Sequence, residues 1–218
     1  MKKYIALALG VLCLCIVIPT FAEEIELEFE LPEPSFAGTP LPYWSPNLEE
    51  AGFKLRPPHK APAGTQIISR GKPVTSSHAD KVSLGKLEML VDGEKGHEAQ
   101  HLIELGEGLL WVQVDLEKEH TLECMLLWHF HADNRVYFDV IIQASNDPEF
   151  KDGVTTIYNN DHDNSSKLGE GEHKEYIDNE QGRLILGNGF KARYVRVYGN
   201  GNTSNEMTNF VELEVWGR

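Results

Sequence analysis

Apolar and polar residues alternate with a period of two over much of the chain beyond residue 66. WVQVDL (111–116) puts Val112, Val114 and Leu116 on one face, and TLECMLLWHF (121–130) puts Leu122, Cys124, Leu126, Trp128 and Phe130 on one face, read here as the core face. RVYFDVIIQAS (135–145) does the same with Val136, Phe138, Val140, Ile142 and Ala144, and ARYVRVYG (192–199) and NFVELEVWG (209–217) keep the rhythm. Side chains on a strand point alternately to its two faces, so this period predicts half-buried antiparallel strands. HADN (131–134), SNDPEFKDG (145–153), NNDHDNSS (159–166) and GNGNTSN (199–205) separate them. Gly, Asn and Asp tolerate the backbone angles of tight turns. No segment of useful length carries a helical period. The pattern predicts an all-β domain over residues 66–218, a β-sandwich or jelly roll.

Residues 23–65 read differently. Glu23 to Glu30 alternates acid and apolar, and prolines follow at 32, 34, 40, 42, 46, 57, 58 and 62. Proline lacks the amide donor and fixes φ, which predicts an irregular arm with no regular sheet or long helix. Phe36, Tyr43, Trp44 and Phe53 are its anchors for lying along a domain surface. Residues 1–22 place two lysines before an apolar run and a small-residue break, the layout of a secretory signal cut after Ala22. A retained N-terminal anchor is the alternative. The expected location is secreted or periplasmic, with no membrane insertion after signal removal. Cys13 and Cys15 leave with the signal, so Cys124 stays alone, without an internal disulfide, as a small core residue. The formal charge of −14 argues against nucleic acid and anionic lipid, whose phosphates need a basic face, and suits neutral sugars, cations or basic partners.

GKPVTSS (71–77), LVDG (90–93) and WVQVDLEKEHTLECMLLW (111–128), then FDVIIQASNDPEFKDGVTTIYNND (138–161), KARYVRVYGNGN (191–202) and VELEVWG (211–217), resemble in order and spacing the blocks of discoidin domains, the coagulation factor V/VIII type C family. The resemblance covers residues 66–218. It implies a galactose-binding-like jelly roll and a mostly non-catalytic binding module for sugar, phospholipid or protein. The terminal cysteines that close many animal members are absent here, and the loops lack the apolar spikes of the lipid binders. The resemblance also implies a structural Ca2+, with Asp92 and Glu212 at the matching positions and carbonyls from GEKGHEAQH (93–101).

Three loops are dense in imidazole, amide and carboxylate groups, the types that recognise sugar hydroxyls. WHFHADNR offers His129, His131 and Arg135, with both histidines expected to point away from the core. NNDHDNSS adds Asn160, Asp161, His162 and Asp163, and GNGNTSNE adds Asn200, Asn202, Asn205 and Glu206. The expected ligand is carbohydrate, bound by His129, His131, Arg135, Asn160, Asp161, His162, Asn202 and Asn205. The alternatives are a protein-interaction module of an extracytoplasmic assembly, or a metal-dependent hydrolase in which His129 and His131 hold zinc with His162 or Asp163 as third ligand. No nucleophile elbow, zinc-protease helix or phosphate loop is present, so no enzyme is predicted.

Overall fold

Two long strands carry the architecture of the computed structural model, which describes residues 23–35, 42–50 and 55–218. The strands are β1 (Glu24–Leu27), β2 (His59–Pro62), β3 (Gln66–Ile67), β4 (Val74–Ser76), β5 (Val82–Leu84), β6 (Ile103–Leu105), β7 (Leu110–His129), β8 (Ile141–Ser145), β9 (Thr155–Asn159), β10 (Arg183–Gly199) and β11 (Thr208–Gly217). Short 3₁₀ turns at 79–81, 87–91 and 99–101 are the helical content of the described residues. The signal segment with its cut after Ala22, and the arm anchors Phe36 and Phe53, lie outside the described residues.

β7 and β10 pair antiparallel from Leu110↔Gly199 to Leu127↔Arg183. Their ladder slips register between Tyr194↔Asp115 and Ala192↔His120, where Glu117 takes a φ of 68° and the ribbon turns. The first half of β7 pairs with β4, and through β10 connects to β8 and β9. Its second half pairs with β11, which holds β6 and β3, and β6 holds β5. One ribbon thus supplies the middle of two stacked layers. Between them lie Val112, Val114, Leu116, Met125, Leu127, Ile142, Val195, Val197, Phe210, Leu213 and Val215, all buried. At the second slip, opposite Leu122, a Cβ on Gly187 would sit 2.5 Å from the Leu122 carbonyl oxygen, so the bulge needs glycine there.

The phase of β7's second half is the reverse of the sequence expectation. Met125, Leu127 and His129 face the interior, while Cys124, Leu126 and Trp128 lie in separate buried clusters with Trp216 and Val211. Leu122 alone of the expected set joins the interior, next to the register irregularity between Trp216 and Gly217. Both faces of this strand are apolar, so alternation marks a strand without saying which face meets the second sheet. The outer face is covered by the arm: Ile25, Leu27 and Phe29 pack on Cys124, Leu184 and Trp216, with the Phe29 ring edge-on to Trp216 at 5.4 Å. The arm also corrects the expectation of no regular sheet, because β1 and β2 pair from Glu24↔Pro62 to Leu27↔His59. Pro62 is tolerated at the strand's last position. Farther on, Tyr43 donates its hydroxyl to Glu175 at 3.0 Å and packs on Phe138 at 5.9 Å. Of the predicted 135–145 strand only Ile141–Ser145 forms, since Asp139 takes a φ of 51° and Val136 and Tyr137 make single bridges.

Burial pushes the Cys124 thiol up to about 12, and the arm maintains that burial. Leu27→Asp removes an apolar contact and forces a charge into the cluster, so it should lift the arm and cost about 2–5 kcal/mol. Cys124 should then react with a thiol reagent under native conditions, while the wild-type thiol stays protected.

Candidate functional site

β7 starts beside Gly199 and ends beside Phe210, so the loops 106–109, 130–140, 160–182 and 200–207 gather at one pole of the sandwich. An open cleft of about 600 Å³ lies there, lined by Phe138, Asn200, Asn202, Asn205, Glu206 and Glu107 among others. Gly201 takes a φ of 81° at its base. Asn202 is buried and spent on the loop: Nδ2 donates to Asn205 Oδ1 (3.0 Å) and the Met207 carbonyl (2.7 Å), and Oδ1 accepts from the amides of Ser204 and Asn205. Asn205 is exposed, and its side-chain nitrogen Nδ2 has no hydrogen-bond partner among the described residues. Phe138 was expected on the core face and instead stands half-buried in the cleft wall. The left-handed Asp139 resets the alternation after it. Glu107 had no signal in the sequence beyond its place between two strands.

Asn200 joins the cleft to a group of carboxylates. Its Nδ2 donates to Asp139 Oδ2 at 2.8 Å, and oxygens of Asp139, Asp161 and Asp163 lie within 4.8 Å of one another. Asp161 is buried and accepts the amides of Ser165 (3.1 Å) and Ser166 (3.0 Å), while Ser165 Oγ donates to Asp139 at 3.0 Å. Burial raises the Asp139 pKa. Asn160 is a brace, its Oδ1 accepting the Val140 amide at 2.7 Å. His162 is exposed, with Nδ1 3.9 Å from Glu175.

The rim proposed from WHFHADNR does not form. His129 is fully buried, stacked on Tyr137 at 4.2 Å, with Nδ1 3.3 Å from Asp178 Oδ2. His131 is buried, its Nε2 3.0 Å from the Lys95 carbonyl. Arg135 grips both oxygens of Asp133 (2.6 and 3.1 Å), donates to Asn209 Oδ1 at 3.0 Å and lies over Phe130. These three side chains hold loops in place. The expected zinc set of His129 and His131 with His162 or Asp163 does not converge. Among the described residues, Asp139, Asp161 and Asp163 form the one group of three or more metal-capable side chains.

Asp92 and Glu212 meet at a corner beside the 87–91 turn. Asp92 is exposed, and its Oδ1 accepts the Glu94 amide at 2.8 Å. Glu212 is buried, with Oε2 accepting the Gly93 amide at 3.1 Å and Oε1 unpartnered. Glu214 beside it takes Lys95 Nζ at 2.7 Å and approaches Arg70 at 3.7 Å. The Arg70 guanidinium lies so close over Gly93 that a Cβ there would fall 1.1 Å from Nη1. The donor set fits a cation at Glu212, which has a free buried oxygen. It fits less well at Asp92, whose carboxylate caps its own turn.

No protein-family model matches this chain, and no curated protein does. Solved structures do. A family 89 glycoside hydrolase from Clostridium perfringens, in complex with 2-acetamido-1,2-dideoxynojirmycin, superposes with a TM-score of 0.51 at 19% identity over 70% of this chain and 14% of its own. The CBM32 of AlyQ, in complex with 4,5-unsaturated mannuronic acid, gives 0.44 at 20% identity, covering 69% of this chain and 95% of its own. The lectin domain of lectinolysin, complexed with Lewis B antigen, gives 0.47 at 19%, covering 69% and 95%. The chain thus spans about a seventh of the hydrolase. The likeness is one of fold: an all-β, galactose-binding-like sandwich, as the strand pattern and the discoidin resemblance led one to expect.

Burial pushes Glu212 up to about 8 from an ordinary 4.5, so the fold holds its proton more tightly than the unfolded chain does. The sign follows: this contribution is full below the unfolded pKa and is lost as pH rises from about 4.5 to about 8. Glu212→Gln keeps the protonated shape at every pH. In chelator it should melt higher than wild type at pH 8, and the two should converge near pH 5.

Proposed function

We propose that the chain is a secreted, non-catalytic discoidin-like module that binds carbohydrate in the cleft beside Phe138. The observation that carries this is the cleft's make-up: one aromatic ring in a wall of amides and carboxylates, open to solvent, at the pole where the loops converge. The Phe138 ring gives the C–H face of a pyranose an apolar surface. The free side-chain Nδ2 of Asn205 donates to a hydroxyl, and Glu206 and Glu107 accept from others. The binding constellation is therefore Phe138, Asn200, Asn205, Glu206 and Glu107, and the histidines and Arg135 act by shaping the loops. Every bond to a hydroxyl replaces one to water, so affinity is modest. Fold likeness supports sugar binding only weakly, since this architecture hosts many functions.

A structural Ca2+ belongs to the same reading. Glu212 and Asp92, with carbonyls of 93–101, would hold it, and the unpartnered Glu212 oxygen supports it. Calcium would supply charge compensation for a buried carboxylate. A protein-interaction role is favoured by one observation, Trp44, which the docked arm displays at 83% exposure.

A glycan array followed by calorimetry tests the main reading. Phe138→Ala should weaken the best glycan about tenfold or more, about 1.4 kcal/mol at the least, while the loss of its contact with Tyr43 lowers the melting point modestly without unfolding the domain at the assay temperature. An array with no hit, or a variant that binds as wild type, would defeat it. For the cation, chelator should lower the melting temperature by mass action and calcium should restore it; an unchanged melt removes the ion.

A further inference from the structure

The cleft beside Phe138 carries charge of one sign. Glu107 enters it from the loop before β7 and Glu206 from the loop before β11. Both are exposed, and neither carboxylate has an ion-pair or hydrogen-bond partner among the described residues. The described lining holds no lysine, arginine or histidine. Lys81 donates to the backbone carbonyl of Glu107 at 3.4 Å and makes no ion pair with its carboxylate. Behind the wall the sign is the same. Asn200 of the lining donates to Asp139, and oxygens of Asp139, Asp161 and Asp163 lie within 4.8 Å of one another. Burial is the main cause of the raised Asp139 pKa, and the charges of Asp161 and Asp163 push it the same way. The contrast is with Glu49, Asp115 and Glu123, each of which is held by an arginine.

We infer that the cleft selects a sugar bearing a free amino group, a 2-amino-2-deoxy sugar in its ammonium form. This rests on the carbohydrate reading of the cleft and names the class of sugar. The ring lies against the open part of Phe138, Asn205 Nδ2 donates to a hydroxyl, and the ammonium is directed to the side of Glu206 and Glu107. A hydrogen bond between charged partners is about twice as strong as one between neutral groups. A hydroxyl offers the same carboxylates only a weaker bond, so charge separates the amino sugar from its neutral analogues, and acetylation removes that charge. Each exposed ammonium–carboxylate pair is worth up to about fivefold in affinity. A uronic acid or a sulfated sugar brings a negative charge to a cleft with no cation to receive it, and like charge set against like is rejected. A metal ion is the poorer occupant, because it takes oxygen ligands alone and leaves the Phe138 ring and the Asn205 donor unused.

The β-1,4-linked tetramer of glucosamine is the probe and its fully N-acetylated counterpart the control. Both are titrated by calorimetry against the full protein, at a pH where the amine is protonated. The glucosamine tetramer should bind about fivefold or more tighter, and the difference should shrink as salt rises. Glu206→Gln with Glu107→Gln should bring the two tetramers to parity with an unchanged melt, because both side chains are exposed and unpaired. Phe138→Ala should weaken both alike. Equal binding by the wild type, or a preference that survives the double Gln variant, overturns the inference and leaves a sugar cleft in place. So does a cleft that binds neither tetramer but holds another glycan from the array. Tetralysine bound as tightly as the glucosamine tetramer, with Phe138→Ala affecting neither, would mark a trap for any cation and overturn the sugar. An array without a hit removes the carbohydrate reading itself, and this inference with it.

Discussion

The ladder between β7 and β10 is the constraint on which the molecule depends. Both strands belong to both sheets, so their hydrogen bonds fix how the layers stack and which loops share a pole. The slip at Glu117 and the glycine-bearing bulge at 187–189 turn the ribbon without breaking it. Once it turns, Leu110, Gly199, His129 and Thr208 are brought to one end, and the loops leaving them enclose the cleft. The chemistry of that pole then follows from which loops the ribbon delivers there.

Much of this was legible in the chain. The period of two located both halves of β7, the second half of β10, β8 and β11, and the Asn/Asp runs located the loops. What alternation could not supply was the phase of a strand buried on both sides. Cys124, Leu126 and Trp128 are the more apolar set and yet lie outside, because the deciding partner, Phe29, is nearly a hundred residues upstream. That one ambiguity carried the histidines to the wrong side. Phe138 was misplaced for a related reason, because a single residue at positive φ shifts the face of everything before it.

Polar residues at the loop pole divide into those that serve the fold and those left over. Asn202 and Asp161 bond to loop backbone, Asn160 Oδ1 and His131 Nε2 each meet a backbone group, and Arg135 is held by Asp133 and Asn209. Breaking one partner of a buried pair such as Lys95–Glu214 would leave a charge stranded in the interior, so these residues are constrained as tightly as apolar core. Density of polar types in a loop is therefore a poor guide to recognition. What stays open to solvent at the cleft is smaller: the Asn205 side-chain nitrogen, part of the Phe138 ring and the acids at the mouth.

The docking of β1 on Trp216 also bears on how the chain matures. The seat is made long after the strand, since Trp216 of β11 follows Phe29 by almost two hundred residues. Until β11 has been made, Ile25, Leu27 and Phe29 lack the Trp216 side of their seat. Such a long-range closure delays native structure during synthesis.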